Sequence, residues 1–144
     1  MEIKKGWKYL KFEKLIRDNN PQTIRNSGGD IVGYVLPKDD FIHHLKLKLV
    51  EEANEVLEAK NINEEIDEIG DVLEVLYALI KQRNIKKRLI KKSRKKKIKF
   101  RGKFNNGFYC NYVCFPKDIY EDWMYKYEDI TQQLIDDKEN NGKN

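Results

Sequence analysis

The residues of this chain best suited to chemistry are acids crowded between positions 48 and 71. They form Glu51-Glu52-x-x-Glu55 and Glu68-x-x-Asp71, separated by a polar break at Asn61-Ile62-Asn63. Residues three or four apart share a helix face, so Glu52 and Glu55 point one way, and so do Glu68 and Asp71. If the break is the turn of an antiparallel helical hairpin, its centre falls between Asn61 and Ile62. Glu52 and Asp71 are then equidistant from the turn, as are Glu55 and Glu68, and four carboxylates meet across one helix–helix groove. Such a group repels itself unless a cation neutralises it. Hard oxygen ligands at that density suit Mg²⁺, Mn²⁺ or Ca²⁺.

Acidic runs are more often solvated helix faces, and Glu58, Glu64, Glu65 and Asp67 fit that ordinary reading. The surrounding apolar pattern argues for more. Ile62, Ile66, Ile69, Leu73, Leu76 and Ile80 make one face of the second helix; Val72, Val75 and Leu79 make another, with Glu68 inside it. A helix apolar on two sides is expected to be covered by more than one neighbour. A carboxylate on such a face needs a partner, since leaving it bare costs several kcal/mol. Gly70, unfavourable in mid-helix by about 1 kcal/mol, predicts the near approach of another backbone.

Two helices must position these acids. The first is predicted over roughly Asp40 to Ala59, capped by Asp39 or Asp40, with Ile42, Leu45, Leu49, Ala53 and Val56 as its buried stripe. Lys48 lies one turn before Glu51 and Glu52, where it can neutralise a carboxylate or reach a phosphate. His43 and His44 flank the helix start and read as surface or packing residues. The second helix is predicted from Asn61, where Asn61-x-x-Glu64 makes a capping box, to about Arg83. Glu74, one turn past Asp71, sits where it can assist a metal shell.

The pattern Glu-Glu-x-x-Glu, spacer, Glu-x-x-Asp resembles the signature of the MazG-like all-α nucleoside triphosphate pyrophosphohydrolases. The resemblance implies a four-helix arrangement of two hairpins, usually across a dimer or higher homo-oligomer. It also implies a Mg²⁺ cofactor, with Mn²⁺ as a substitute, and hydrolysis of a nucleoside triphosphate to a monophosphate and pyrophosphate. It makes Glu52, Glu55, Glu68 and Asp71 the metal ligands. Glu51 becomes a supporting carboxylate that orients or deprotonates water, with Lys48 beside it in the catalytic set. The stretch Lys14-Leu15-Ile16-Arg17-Asp18-Asn19-Asn20-Pro21 looks like the Lys-Leu-Val-Arg-Asp-x-Ile-Pro opening of one subfamily, departing at Asn20 and, more mildly, at Ile16. It is then expected to pack beside the active site, with Lys14, Arg17 and Asp18 on the substrate side; an ordinary tie of the N-terminus to the helices is the competing reading. Arg101 to Phe108 resembles an expanded Arg-Gly-Gly-Phe-like element, which adds Arg101 to the substrate-binding set and favours Gly107-Phe108 as the aligned pair. The resemblance covers roughly Leu10 to Phe115.

With 144 residues, 40% hydrophobic and 37% charged, the chain suits one domain with a modest core. No apolar run approaches the length of about 20 residues that spans a bilayer. The lysine-rich start lacks an apolar signal core, so a cytoplasmic protein with no membrane partner is expected. Cys110 and Cys114, the two cysteines, read as simple strand or loop residues; with His43 and His44 they match no zinc spacing. The net charge of +5 conceals an asymmetry. Twelve Lys or Arg residues and no acid lie between Lys86 and Lys103, which leaves the remainder at −7. This run carries no interleaved aromatic platform and no nucleic-acid motif, so nucleic acid is not the expected partner, and most of it reads as solvated surface.

The remaining elements are a short helix capped by Asn20, with Pro21 at its first position, that stops at Ser27-Gly28-Gly29, an extended connection over Asp30–Pro37, and an alternating extended or β segment at 108–115. An amphipathic helix is predicted over 116–136, from about Lys117, packed on the domain or a partner subunit. It follows a domain of residues 1–115 and precedes a disordered tail at 137–144. The fold class is mainly all-α. Metal-assisted phosphoanhydride hydrolysis is the economical function, since no Ser/His or Cys/His nucleophile is visible. Rivals are a related all-α dUTP, dCTP or phosphoribosyl-ATP pyrophosphohydrolase, or a non-catalytic helical dimer binding nucleic acid through the basic segment.

Overall fold

The structure is a computed structural model that describes residues 3–141. Among these are five α-helices and no strand: α1 (Asn20–Asn26), α2 (Lys38–Glu58), α3 (Ile62–Gln82), α4 (Lys87–Arg101) and α5 (Thr131–Asn141). The chain is all-α, as its periodicities predict. Residues up to Gly102 form one compact unit and those from Lys103 onward a second. No helix among the described residues is long and apolar enough to cross a membrane.

The first unit is organised by the hairpin of α2 and α3, the one pair of helices packed along its length. Asn61 makes the turn. Its Oδ1 accepts the backbone N–H groups of Asn63 and Glu64, each at 3.1 Å, and Glu64 Oε2 accepts Lys60 N–H at 2.9 Å. The expected capping box therefore forms, with its return bond shifted one residue upstream of the cap. At the other end of α3, Asn84 takes a left-handed φ of 51° and Ile85 N–H reaches Ile80 O at 3.0 Å, a Schellman-type stop. At the start of α2 neither Asp39 nor Asp40 is the cap. Pro37 holds that position, and both acids lie in the first turn, where they complement the helix dipole. Likewise Asn19, not Asn20, precedes α1, and it makes no side-chain cap bond.

The hairpin buries Ile42, Leu45 and Val75, with Leu49, Val56, Val72 and Leu79 half-buried around them. Ala53, expected in this stripe, is exposed. The second apolar face of α3 is covered only toward its C-terminal end, where Leu76 and Ile80 are half-buried. Ile62, Ile66, Ile69 and Leu73 are 44–66% exposed, because a single hairpin supplies one neighbour rather than two. Gly70 adjoins that open face, and an added Cβ there would meet nothing within 4 Å, so the close backbone approach expected at Gly70 does not occur within the chain.

The arm before α1 is irregular and is tied down by Lys4–Asp30 at 2.9 Å. Residues 29–37 form a connection without regular secondary structure. In the second unit, residues 108–115, expected as an extended or β segment, form no strand. The helix predicted over 116–136 is replaced by turns, a three-residue 3₁₀ turn at Met124–Lys126, and α5. Its start is set by Asp129, whose Oδ1 accepts Thr131 N–H at 2.9 Å and Thr131 Oγ1 at 2.5 Å. Upstream, the aromatic residues pack on one another instead of forming a helical stripe: Trp123 meets Phe115 and Tyr127 edge-on, at centroid distances of 5.9 and 5.8 Å. α5 extends to Asn141, so residues 137–141 of the expected tail are helical; 142–144 lie outside the described residues.

Candidate metal centre

α2 carries Lys48, Glu51, Glu52 and Glu55 on the side that meets α3, and α3 answers with Glu68 and Asp71. Glu52, 3% exposed, is the one buried charged residue among those described. Lys48 Nζ lies 2.5 Å from its Oε1, while its Oε2 is buried without any hydrogen-bond partner. Oxygen atoms of Glu52, Glu55 and Glu68 all lie within 4.8 Å of one another. This crowding has an electrostatic signature. Burial, then the neighbouring Glu55, and then Asp71 and Glu52 push the Glu68 carboxyl above its ordinary range.

These residues fit a divalent cation. The donor set is entirely carboxylate oxygen, it spans both helices, and one oxygen is buried without a partner. Three of the four predicted ligands are brought together. The fourth, Asp71, is half-buried beside them and is held instead by Arg17, whose Nη2 donates to Asp71 Oδ1. Glu51 is engaged twice, by Lys14 at 2.7 Å and Lys48 at 3.1 Å. Burial raises its pKa, but the two ammonium hydrogen bonds outweigh that and hold the carboxyl below its usual range. For Lys48 burial is likewise overcome, here by Glu52 and Glu51, and the ammonium is held more firmly protonated.

The N-terminal arm thus reaches the acidic groove through Lys14 and Arg17, while Leu15 and Ile16 are half-buried between them. Asp18 is exposed, and Arg101 is exposed at the end of α4; no ion pair joins either to the cluster among the described residues. Glu74 is exposed and lies outside the acid trio. His44 is half-buried with an unpartnered Nδ1, and His43 is exposed. A pocket of about 190 Å³ opens beside the trio, lined by Glu55, Glu58, Ala59, Glu64 and Glu68. Glu58 and Glu64 are exposed, as the sequence predicts, and Glu64 spends its carboxylate on Lys60 N–H and Asn61 Nδ2 at the turn.

Residues 36–96 match the family model of phosphoribosyl-ATP pyrophosphohydrolase. The stretch takes in α2, α3 and most of α4, and therefore every member of the acid cluster. That family is all-α and related to the MazG-like enzymes, and the match supports a pyrophosphohydrolase-type activity on phosphoanhydride bonds. The Lys14–Pro21 segment lies outside the matched residues. No curated protein and no solved structure matches the chain.

Proposed function

We propose that the protein is a Mg²⁺-dependent nucleoside triphosphate pyrophosphohydrolase, releasing a nucleoside monophosphate and pyrophosphate as part of nucleotide-pool cleaning. The observation that carries this reading is the trio of Glu52 and Glu55 on α2 and Glu68 on α3, whose oxygens lie within 4.8 Å of one another, together with the buried, unpartnered Oε2 of Glu52. Glu52, Glu55 and Glu68 would hold Mg²⁺, or Mn²⁺ in its place, with Asp71 joining once Arg17 releases it. Bound there, the cation would screen the phosphate charge and acidify water. Lys48 fixes the Glu52 carboxylate by one oxygen and leaves the other without a partner. Glu51, kept ionised by Lys14 and Lys48, is placed to orient a water and take its proton. Lys14 and Arg17 are cations at the mouth of the groove, able to exchange carboxylate for phosphate oxygens as substrate enters. Asp18 and Arg101 complete the substrate side only if the bound nucleotide extends beyond the groove.

The uncovered face of α3, with Ile62, Ile66, Ile69 and Leu73 exposed and Gly70 open, supports a homodimer in which a second hairpin closes a four-helix bundle. A second substrate reading is favoured by the family match: phosphoribosyl-ATP, itself a nucleoside triphosphate bearing an extra ribosyl phosphate. One assay separates the two. Pyrophosphate release is measured with Mg²⁺ across the common ribo- and deoxyribonucleoside triphosphates and phosphoribosyl-ATP, beside the Glu68→Gln variant. Release that depends on Mg²⁺ and on Glu68 is expected. No release from any of these substrates would exclude the activity.

A further inference from the structure

We propose that α4 binds the phosphate backbone of nucleic acid without regard to sequence. Of its 15 residues, ten are Lys or Arg and none is acidic. Arg88, Lys92, Lys95, Lys96 and Lys99 recur at helical spacing and share one side. None of the α4 cations has an ion-pair partner among the described residues. No α4 residue is buried, and its attachment is near its first turn, where Lys87 lies over the Tyr77 ring at 5.3 Å. Like charges three and four residues apart destabilise an isolated helix, and 15 residues is marginal length for one in water. A polyanion laid along α4 removes that repulsion.

The dimensions favour a nucleic-acid strand. Arg88 to Lys99 spans about 16 Å at the helical rise of about 1.5 Å per residue. About five phosphates of one duplex strand occupy the same axial length, one per cation. Backbone contact of this kind needs no aromatic platform, so the absence of interleaved rings does not count against it. A membrane surface fits less well. An interfacial helix sets its cations against a broad apolar face. On α4 the opposite edge also carries Lys87, Lys91 and Arg94, and the shallow groove between Leu89 and Phe100 is rimmed by lysines. The chain outside residues 86–103 is net negative, which makes this segment its densest positive stretch.

The test uses the full chain, a labelled 20-base-pair DNA duplex, the matching RNA duplex, and vesicles rich in anionic phospholipid, across a salt series with chelator present. Binding to at least one duplex is expected, with a slope of log K against log salt of about −4.5 for five neutralised phosphates on DNA. Replacing Arg88, Lys92, Lys95, Lys96 and Lys99 by Gln, a residue of equal helix propensity, should lower duplex affinity at least tenfold at low salt and flatten the slope. The single variant Lys95→Gln should reduce the slope by about one. Absence of duplex binding at low salt, an unchanged slope in the five-site variant, or tighter binding to the vesicles than to either duplex would overturn the proposal. Because chelator is present, the outcome is independent of hydrolysis.

Discussion

Half-buried Lys48 and buried Glu52, one turn apart on α2, form an ion pair that satisfies only half of the carboxylate. Lys48 Nζ lies 2.5 Å from Glu52 Oε1, and Glu52 Oε2 has no partner. Removing the lysine strands a buried charge, at a typical cost of 3–5 kcal/mol. Lys48→Met is therefore expected to destabilise the protein by about 3 kcal/mol in urea unfolding with chelator present. A cation held by Glu52, Glu55 and Glu68 would offset part of that loss by binding only the folded state. Addition of Mg²⁺ should thus restore stability to Lys48→Met more than it adds to the parent. Equal effects on both would mean that the Glu52 oxygen does not face a cation.

Glu68 sits with its carboxyl already pushed toward protonation by burial and by Glu55. Replacing it by Gln removes repulsion from the metal-free state. Glu68→Gln should melt a few degrees higher than the parent in chelator, lose most of its Mg²⁺-dependent stabilisation, and fall about 100-fold or more in pyrophosphate release. Opposite movement of stability and activity is the diagnostic result, read by thermal melts with and without Mg²⁺. A variant that melts lower in chelator would indicate a structural role for Glu68 instead.

The hairpin and its register were legible because they rest on local rules. Apolar spacing marks α2 and α3, Asn61 and Glu64 fix the turn, and the turn brings Glu52 and Glu55 to Glu68. What escaped the sequence depends on longer-range choices. Asp71 lies beside the acid trio, but Arg17, 54 residues away in the chain, takes its oxygen. The helix predicted over 116–136 fails because Asp129 caps Thr131 while Trp123 prefers ring contacts with Phe115 and Tyr127, and side-chain pairings of that kind leave no periodic trace. Ile62, Ile66, Ile69 and Leu73 have the pattern for burial, but no element among the described residues covers them.

Arg17 and Asp71 are 56% and 41% exposed, so their pairing contributes little to stability, on the order of 0–1 kcal/mol. Its value lies in occupancy of the site. Arg17→Ala should leave the urea midpoint nearly unchanged, free Asp71 to join the cluster, and tighten Mg²⁺ binding in a metal titration. The same variant should raise KM for the triphosphate about tenfold with a smaller change in kcat, since a phosphate contact made on binding is lost. An unchanged KM would confine Arg17 to anchoring the N-terminal arm.

The open α3 face makes a prediction about assembly. Ile66 and Ile69 are 58% and 44% exposed one turn apart, beside the open Gly70. A lysine at either position places a charge in any interface formed there. Ile66→Lys and Ile69→Lys should shift a dimer to monomer in sedimentation at micromolar concentration, while a control at exposed Glu74, Glu74→Lys, should not. Should the parent sediment as a monomer, the apolar face is not a self-association surface.

Acid should weaken α5 through the Asp129 carboxyl. The Asp129 carboxyl is held below its ordinary value of 3.8, first by the hydroxyl of Thr131 and then by the Thr131 N–H. A carboxyl lowered in the folded state contributes stability above the unfolded value, and loses it as pH falls through the folded value. The helical signal of α5 should therefore persist through 3.8 and decline only below it. Asparagine caps a helix nearly as well as aspartate but does not titrate in this range. The difference in far-ultraviolet circular dichroism between the parent and Asp129→Asn should be small near neutrality and grow below pH 3.8. Asp129→Ala should lose helix at every pH. A parent and an Asp129→Asn variant with superimposable acid titrations would show that the Asp129 charge does not hold the start of α5.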